Sequence, residues 1–155
     1  IHTEDVEALA TLSAGSVGEA IRLVNHDGLQ LYHEIVSLFD GMPRMDRQAA
    51  IKLAESCAGK NAETRFPMMV DLIDVFLARA ARAGLLGEPS TQGAQGEARL
   101  LARLSPTDVA ARAWAELQQE LSARVRQGRA VNLDPSALIL DMVLRIEKTA
   151  VQVAG

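Results

Sequence analysis

This 155-residue chain predicts an all-α, multi-helix bundle, and three observations carry that reading. Aromatic residues amount to only 3% while Ala, Leu and Val abound, a balance suited to helices packed through aliphatic ridges rather than to sheets. Apolar residues recur at spacings of three and four through most of the chain. Between these runs stand the residue types that start and stop helices. The length fits one domain on a rough prior of about 150 residues per domain. With 48% hydrophobic and 23% charged residues the mixture is that of a soluble protein, without the run of about 18 apolar residues that a membrane span needs.

The first helix is expected from Thr3, read as its cap, with Glu4 and Asp5 in the first turn, running towards Leu12. A Ser13-Ala14-Gly15 turn follows, and Ser16-Val17-Gly18-Glu19 is a capping box, in which serine and glutamate satisfy each other's free amides. The second helix then passes through Ile21, Leu23 and Val24 to Asp27, with Gly28 closing it in the left-handed conformation. From Leu29 to Phe39 a third places Leu31, Ile35, Leu38 and Phe39 on one face and stops at Gly41 before Pro43. Asp46 caps a fourth over 47–58, with Ala50, Ile51, Leu53, Ala54 and Cys57 inward and Gly59 as terminator.

The segment from Glu63 to Ala83 is the most apolar: Met69, Leu72, Ile73, Phe76, Ala80 and Ala83 form one stripe, which Val75 and Leu77 extend around the cylinder. Pro67 belongs in its first turn. Residues 84–97 combine Gly, Pro and polar side chains and predict a mobile loop. Ser105-Pro106 launches a helix through Trp114, Leu117, Leu121 and Val125 to Gly128. Asp134-Pro135 launches the last, whose Leu138, Ile139, Leu140, Met142, Val143, Leu144 and Ile146 leave little room for a wet face. Two helices apolar on most sides imply either the centre of a six- or seven-helix domain or burial against a partner subunit.

The lone Cys57 excludes an internal disulfide, and the N-terminus lacks a signal-peptide pattern, which together point to the cytoplasm. Ile1 in place of Met leads to the expectation that the chain is a piece of a longer protein. Residues 1–40 carry seven acids against Arg22 alone, and the net charge is −4, so a phosphate-gripping basic stripe is absent. Arg124, Arg126 and Arg129 read as solvated charges complementing a helix end. Asp71 and Asp74 lack a facing acidic cluster, with Arg79 and Arg82 beyond them, and read as solvated surface. His2, His26 and His33 lack metal-ligand spacing with Cys57 or with one another, so no metal, cofactor or catalytic residue is assigned. Gly15-Ser16-Val17-Gly18 lacks the preceding strand and the Gly-Lys-Ser/Thr end of a phosphate loop. His33-Glu34 leaves open a histidine phosphotransfer module, which requires an exposed His33, and a stand-alone helical adaptor would show the same patterning.

The residues Ser13 to Ala20, then Gly28-Leu29, Leu31-Tyr32, the helix from Arg65-Phe66 to Leu77-Ala78-Arg79, the Trp114 helix and Asn132-Leu133-Asp134 follow one another in an order that resembles the C-terminal part of bacterial clamp-loader subunits. The delta prime type of DNA polymerase III is the form most similar. The resemblance implies that residues 1–24, with Gly15, Ser16, Gly18 and Ala20 as its motif, end the lid of an AAA+ module, and that residues 25–155 form a helical collar. Hydrolysing relatives carry an arginine in the lid segment where this chain has Gly18, which implies the non-hydrolysing type. The partners implied are the delta and motor subunits in a five-membered ring and, indirectly, the sliding clamp and primer-template DNA. The helices over 67–83 and 135–150, with Met142 and Leu144 as candidate contacts, are expected to share a subunit interface, and Asn132, Leu133 and Asp134 are the second family marker.

Overall fold

A computed structural model describes residues 2–154, and among these the chain is all-helical, with eight α-helices, one short 3-10 turn and no strand. Helix α1 spans Thr3–Ser13; its cap is His2, without a side-chain bond, and Thr3 is already the first helical residue. It stops where Ala14 turns left-handed at φ 51°. Helix α2 spans Val17–Asn25. Asp27, not Gly28, then takes the left-handed conformation at φ 53°, and Gly28 opens α3, Gly28–Phe39. The glycine is needed there for closeness: a Cβ would lie 2.5 Å from the Leu23 Cδ2 and 3.1 Å from the Leu23 Cα.

Helix α4 spans Arg47–Glu55, with the Asp46 carboxylate accepting from the amides of Gln48 and Ala49 at 3.0 and 3.1 Å. It ends three residues before the expected 58; Cys57 is buried in the following turn, and Gly59 opens the 3-10 turn Gly59–Asn61. Of the residues expected inward on α4, Ile51 is exposed and Leu53 half-buried. Helix α5 spans Arg65–Leu86, with Pro67 in its first turn where a missing amide costs nothing. All six residues of its expected stripe are buried.

Helix α6, Glu97–Leu104, was not expected, and it buries Leu100, Leu101 and Leu104. Helix α7 spans Asp108–Ala130 and is capped by Thr107, whose hydroxyl accepts from the Ala110 amide at 3.1 Å, rather than by Ser105. Helix α8 spans Pro135–Ala154.

The architecture is set by two long antiparallel pairings. Helix α5 runs against α7, from Phe66 under the Arg129 guanidinium at one end, through Asp74 and Gln118, to Gly84 against Thr107 at the other. Helix α8 returns along α7, with Leu138 over Gly128 and the Asp141 carboxylate bound by Arg124. Helix α4 packs on the far flank of α8, tied by Arg47 to the buried Glu147, which also accepts from the Met45 amide at 2.9 Å. One apolar core runs from Leu12 to Ala150. Leu12 and Leu23 belong to it, so the boundary expected after residue 24 does not coincide with a break in packing. Helices α5 and α8 meet their burial inside the chain, each contacting several neighbours.

Two glycines of similar helical setting are expected to respond oppositely. A Cβ at Gly84 would fall 2.4 Å from the Thr107 carbonyl oxygen and 2.6 Å from the Ala111 Cβ, so Gly84→Ala should cost about 1–3 kcal/mol or more by forcing α5 and α7 apart. At Gly18 the nearest atom is the Ser16 Oγ at 3.9 Å, so Gly18→Ala should stabilise by about 0.5–1 kcal/mol. Urea unfolding followed by circular dichroism measures both.

Candidate functional site

The first marker forms the corner between α1 and α2. Ala14 and Gly15 are both left-handed, at φ 51° and 83°, and the Ser16 amide donates to the Ser13 carbonyl at 3.0 Å. The Ser16 hydroxyl accepts from the Glu19 amide at 3.3 Å, but the capping box is only half formed. Glu19 turns instead to Arg22 at 3.4 Å, and Arg22 reaches Asp71 on α5 at 2.7 Å. That ion pair links the polar side of α2 to α5. Gly18 is exposed and Ala20 half-buried. On the opposite side Val17, Ile21 and Val24, spaced four and three apart, are 74%, 55% and 58% exposed. Only Leu23 of α2 is buried, so this amphipathic helix leaves its apolar stripe uncovered.

The second marker is the corner between α7 and α8. Asn132 is left-handed at φ 56°, its amide donates to the Arg129 carbonyl at 3.1 Å, and the Leu133 amide donates to the Gly128 carbonyl at 2.9 Å, the paired closure of a Schellman motif. Asp134 then caps α8, accepting from the Ala137 amide at 3.2 Å and from the Ser136 hydroxyl. The triplet Asn132-Leu133-Asp134 thus ends one helix and starts the next, leaving Val131 and Leu133 exposed. No hydrogen bond or ion pair among the described residues joins the two markers.

Met142, expected at a surface, is 3% exposed and packs in the core. Its neighbour two residues on, Leu144, is half-buried beside a surface depression shared with Arg47, Lys148 and Val151. The difference follows from the helical turn of about 100° per residue, which rotates position 144 well away from 142.

The loop over 87–96 is not the free segment expected. Gly93 is buried, close enough to Leu12 and the Tyr32 ring that a Cβ would fall within 2.8 Å of both. Its amide donates to the Glu97 carboxylate at 2.8 Å. Glu97, 0% exposed, also accepts from the Tyr32 hydroxyl and from Arg79, whose Nε and Nη2 lie 2.9 and 3.0 Å away. The second Arg79 nitrogen reaches on to the Thr91 carbonyl at 2.7 Å. Polar groups pin this loop, alongside the packing of Gly93 and Ala94 on the core. Burial, and then the neighbouring Glu97 charge, hold the Tyr32 phenol well above its ordinary range.

Arg79 is half-buried against Glu97, while Asp71 and Asp74, expected as solvated surface, are exposed and half-buried and engaged by Arg22 and Gln118. His2, His26 and His33 are exposed, with His33 on the rim of a groove between α3 and α4. Burial raises the Cys57 thiol, which leaves it poorly reactive. No cluster of three metal-binding side chains occurs among the described residues, and none of their helices is long and apolar enough to cross a membrane. Comparison with protein-family models, with curated proteins and with solved structures finds no match to this chain.

Glu97→Ala should destabilise by about 3–5 kcal/mol, because it removes the acceptor shared by the buried Tyr32 hydroxyl, the Gly93 amide and Arg79, and deleting residues 90–95 should likewise lower the melting temperature; an unchanged midpoint in either case would show the network to be dispensable. Burial pushes the Asp141 carboxyl up, but the hydrogen bonds from Arg124 and Arg145 outweigh it and its pKa is lowered. A depressed carboxylate stabilises the fold above its unfolded pKa of about 4 and loses that contribution as pH falls through its folded value. Asp141→Asn should accordingly flatten the acid side of the stability curve below about pH 4, read by thermal unfolding across pH.

Proposed function

We propose that this chain is a non-catalytic assembly region of the delta prime type, acting in the bacterial DNA polymerase III clamp loader during replication in the cytoplasm. The observation that carries the reading is where the two family markers stand. Both are chain reversals of an all-α bundle: the Gly15-Ser16 corner, with its cap on α2, and the Asn132 corner, with its cap on α8. Markers that specify helix corners are what a scaffold needs, since its task is to present helix faces at fixed angles.

In this reading α1 and α2 end the lid and the remaining helices form the collar, which stands beside the collars of the delta and motor subunits. The stripe of Val17, Ile21 and Val24 supports an assembled state, because an apolar helix face bare to water gains free energy when a neighbour covers it. The half-buried Leu144 with exposed Val151 on α8 and Leu133 at the α8 corner are the accessible apolar positions of the second marker's end of the chain.

Mixing the pure chain with clamp-loader delta and motor subunits should give co-elution on size exclusion, while Leu133→Glu, Leu144→Glu and Ile21→Asp, tried singly, should include at least one variant that keeps its circular dichroism yet elutes alone. Failure of the folded wild-type chain to co-elute would sink the assignment in favour of an unrelated helical adaptor.

A further inference from the structure

Helices α3 and α4 leave between them an open groove of about 660 Å³, within the range of about 300–1,000 Å³ in which proteins hold ligands. Its floor is apolar, built from Leu38, Ala49 and Leu53. Its lining holds three cations, Arg44, Lys52 and Arg65, against two acids. Of the two acids that line it, Glu34 is held by Arg65 at 2.9 Å and Asp46 is spent on the cap of α4. Arg44 and Lys52 are exposed on the rim, and neither side chain has an ion-pair or hydrogen-bond partner among the described residues. Exposed His33 and Ser37 complete the α3 side.

The groove is thus an aliphatic trough with two uncommitted positive charges beside it, in a chain whose net charge is −4. We propose that it docks an amphipathic helix of a partner protein, with that helix's aliphatic side on Leu38, Ala49 and Leu53 and its acidic flank against Arg44 and Lys52. The apolar floor supplies area and the cations supply register and a choice of sign, the usual division of labour when a helix lies in a groove. The partner is a different protein: this chain's own exposed helix stripe, on α2, has its acid Glu19 paired with Arg22, which also binds Asp71, on the side away from Val17, Ile21 and Val24. The proposal stands on the groove itself and is independent of the clamp-loader reading.

The test uses the full chain and two fluorescently labelled synthetic helices, each with a leucine stripe, one flanked by glutamates and the other by lysines. Anisotropy should show saturable binding of the glutamate helix, weakened by salt and at least tenfold tighter than the lysine helix. Reversing both rim charges, Arg44→Glu with Lys52→Glu, should weaken the glutamate helix by about tenfold, the sum of two exposed pairs. Ser37→Trp, at an exposed position that fills the trough, should abolish binding while leaving circular dichroism unchanged. Equal binding of both helices, or of neither, overturns the proposal. So does concentration-dependent self-association lost in the charge-reversed variant, which would make the occupant a second copy, and so does displacement by a single-stranded oligonucleotide, which would make the rim a phosphate site.

Discussion

The carboxylate of Glu97 is the point at which four separate stretches of chain are held together. Tyr32 comes to it from α3, Arg79 from α5 and the Gly93 amide from the connecting loop, while Glu97 itself opens α6. Taking a carboxylate and a guanidinium out of water costs several kcal/mol per ion, and that cost is met only when nearly every polar atom finds a partner. Here Arg79 spends one nitrogen on Glu97 and shares the other between Glu97 and Thr91. The consequences run outward. With α6 fixed, Leu100, Leu101 and Leu104 enter the core, and the Leu104 carbonyl is placed to accept from the buried Trp114 indole at 2.9 Å. Through Trp114 the position of α7 depends on α6, and α8 packs on α7. A glycine at 93 follows from the same arrangement, since the loop must pass between Leu12 and Tyr32 without a side chain.

Close approach governs the long helices in a different way. Gly84 lets α5 touch the backbone at Thr107, and Gly128 lets the Leu138 side chain lie directly on α7. Each glycine costs helix propensity, by about 1 kcal/mol relative to alanine, which tight aliphatic packing offsets. The ion pairs added along these seams, Arg124 with Asp141 and Arg145 with both Asp141 and Glu120, are partly exposed and serve register more than stability.

The helical class, the apolar stripes of α5 and α8, the Asp46 cap and the Asp134 cap were legible because each is written within a few residues of itself. Periodicity showed that Met142 faces a core, but it contains no sign of whether that core belongs to one chain or two. Helix α6 escaped notice although Leu100, Leu101 and Leu104 have the right spacing, because Gly96 offers no capping side chain and a Gly- and Gln-rich loop precedes it. Ser105 and Thr107 presented the same chemistry two residues apart, and the choice between them rests on tertiary packing: Ser105 lies buried against Gly84 with its hydroxyl unpartnered, and Thr107 is left to cap. The charged network was invisible for a similar reason. Arg79 and Glu97 are 18 positions apart, and Tyr32 and Glu97 are 65, separations at which composition says nothing about pairing. The groove between α3 and α4 is a negative shape, and its unpaired cations stand out only once Arg65 has been matched with Glu34.

The bare stripe of α2 sits beside the most acidic stretch of the chain. Glu4, Asp5 and Glu7 are all exposed on α1, which packs against α2, while the nearest arginine is tied to Asp71. Two copies approaching each other through Val17, Ile21 and Val24 would also bring two acidic segments nearer, and the repulsion between them grows as the salt around them is diluted. Such repulsion opposes self-association through the stripe more than it opposes contact with a neutral or basic surface.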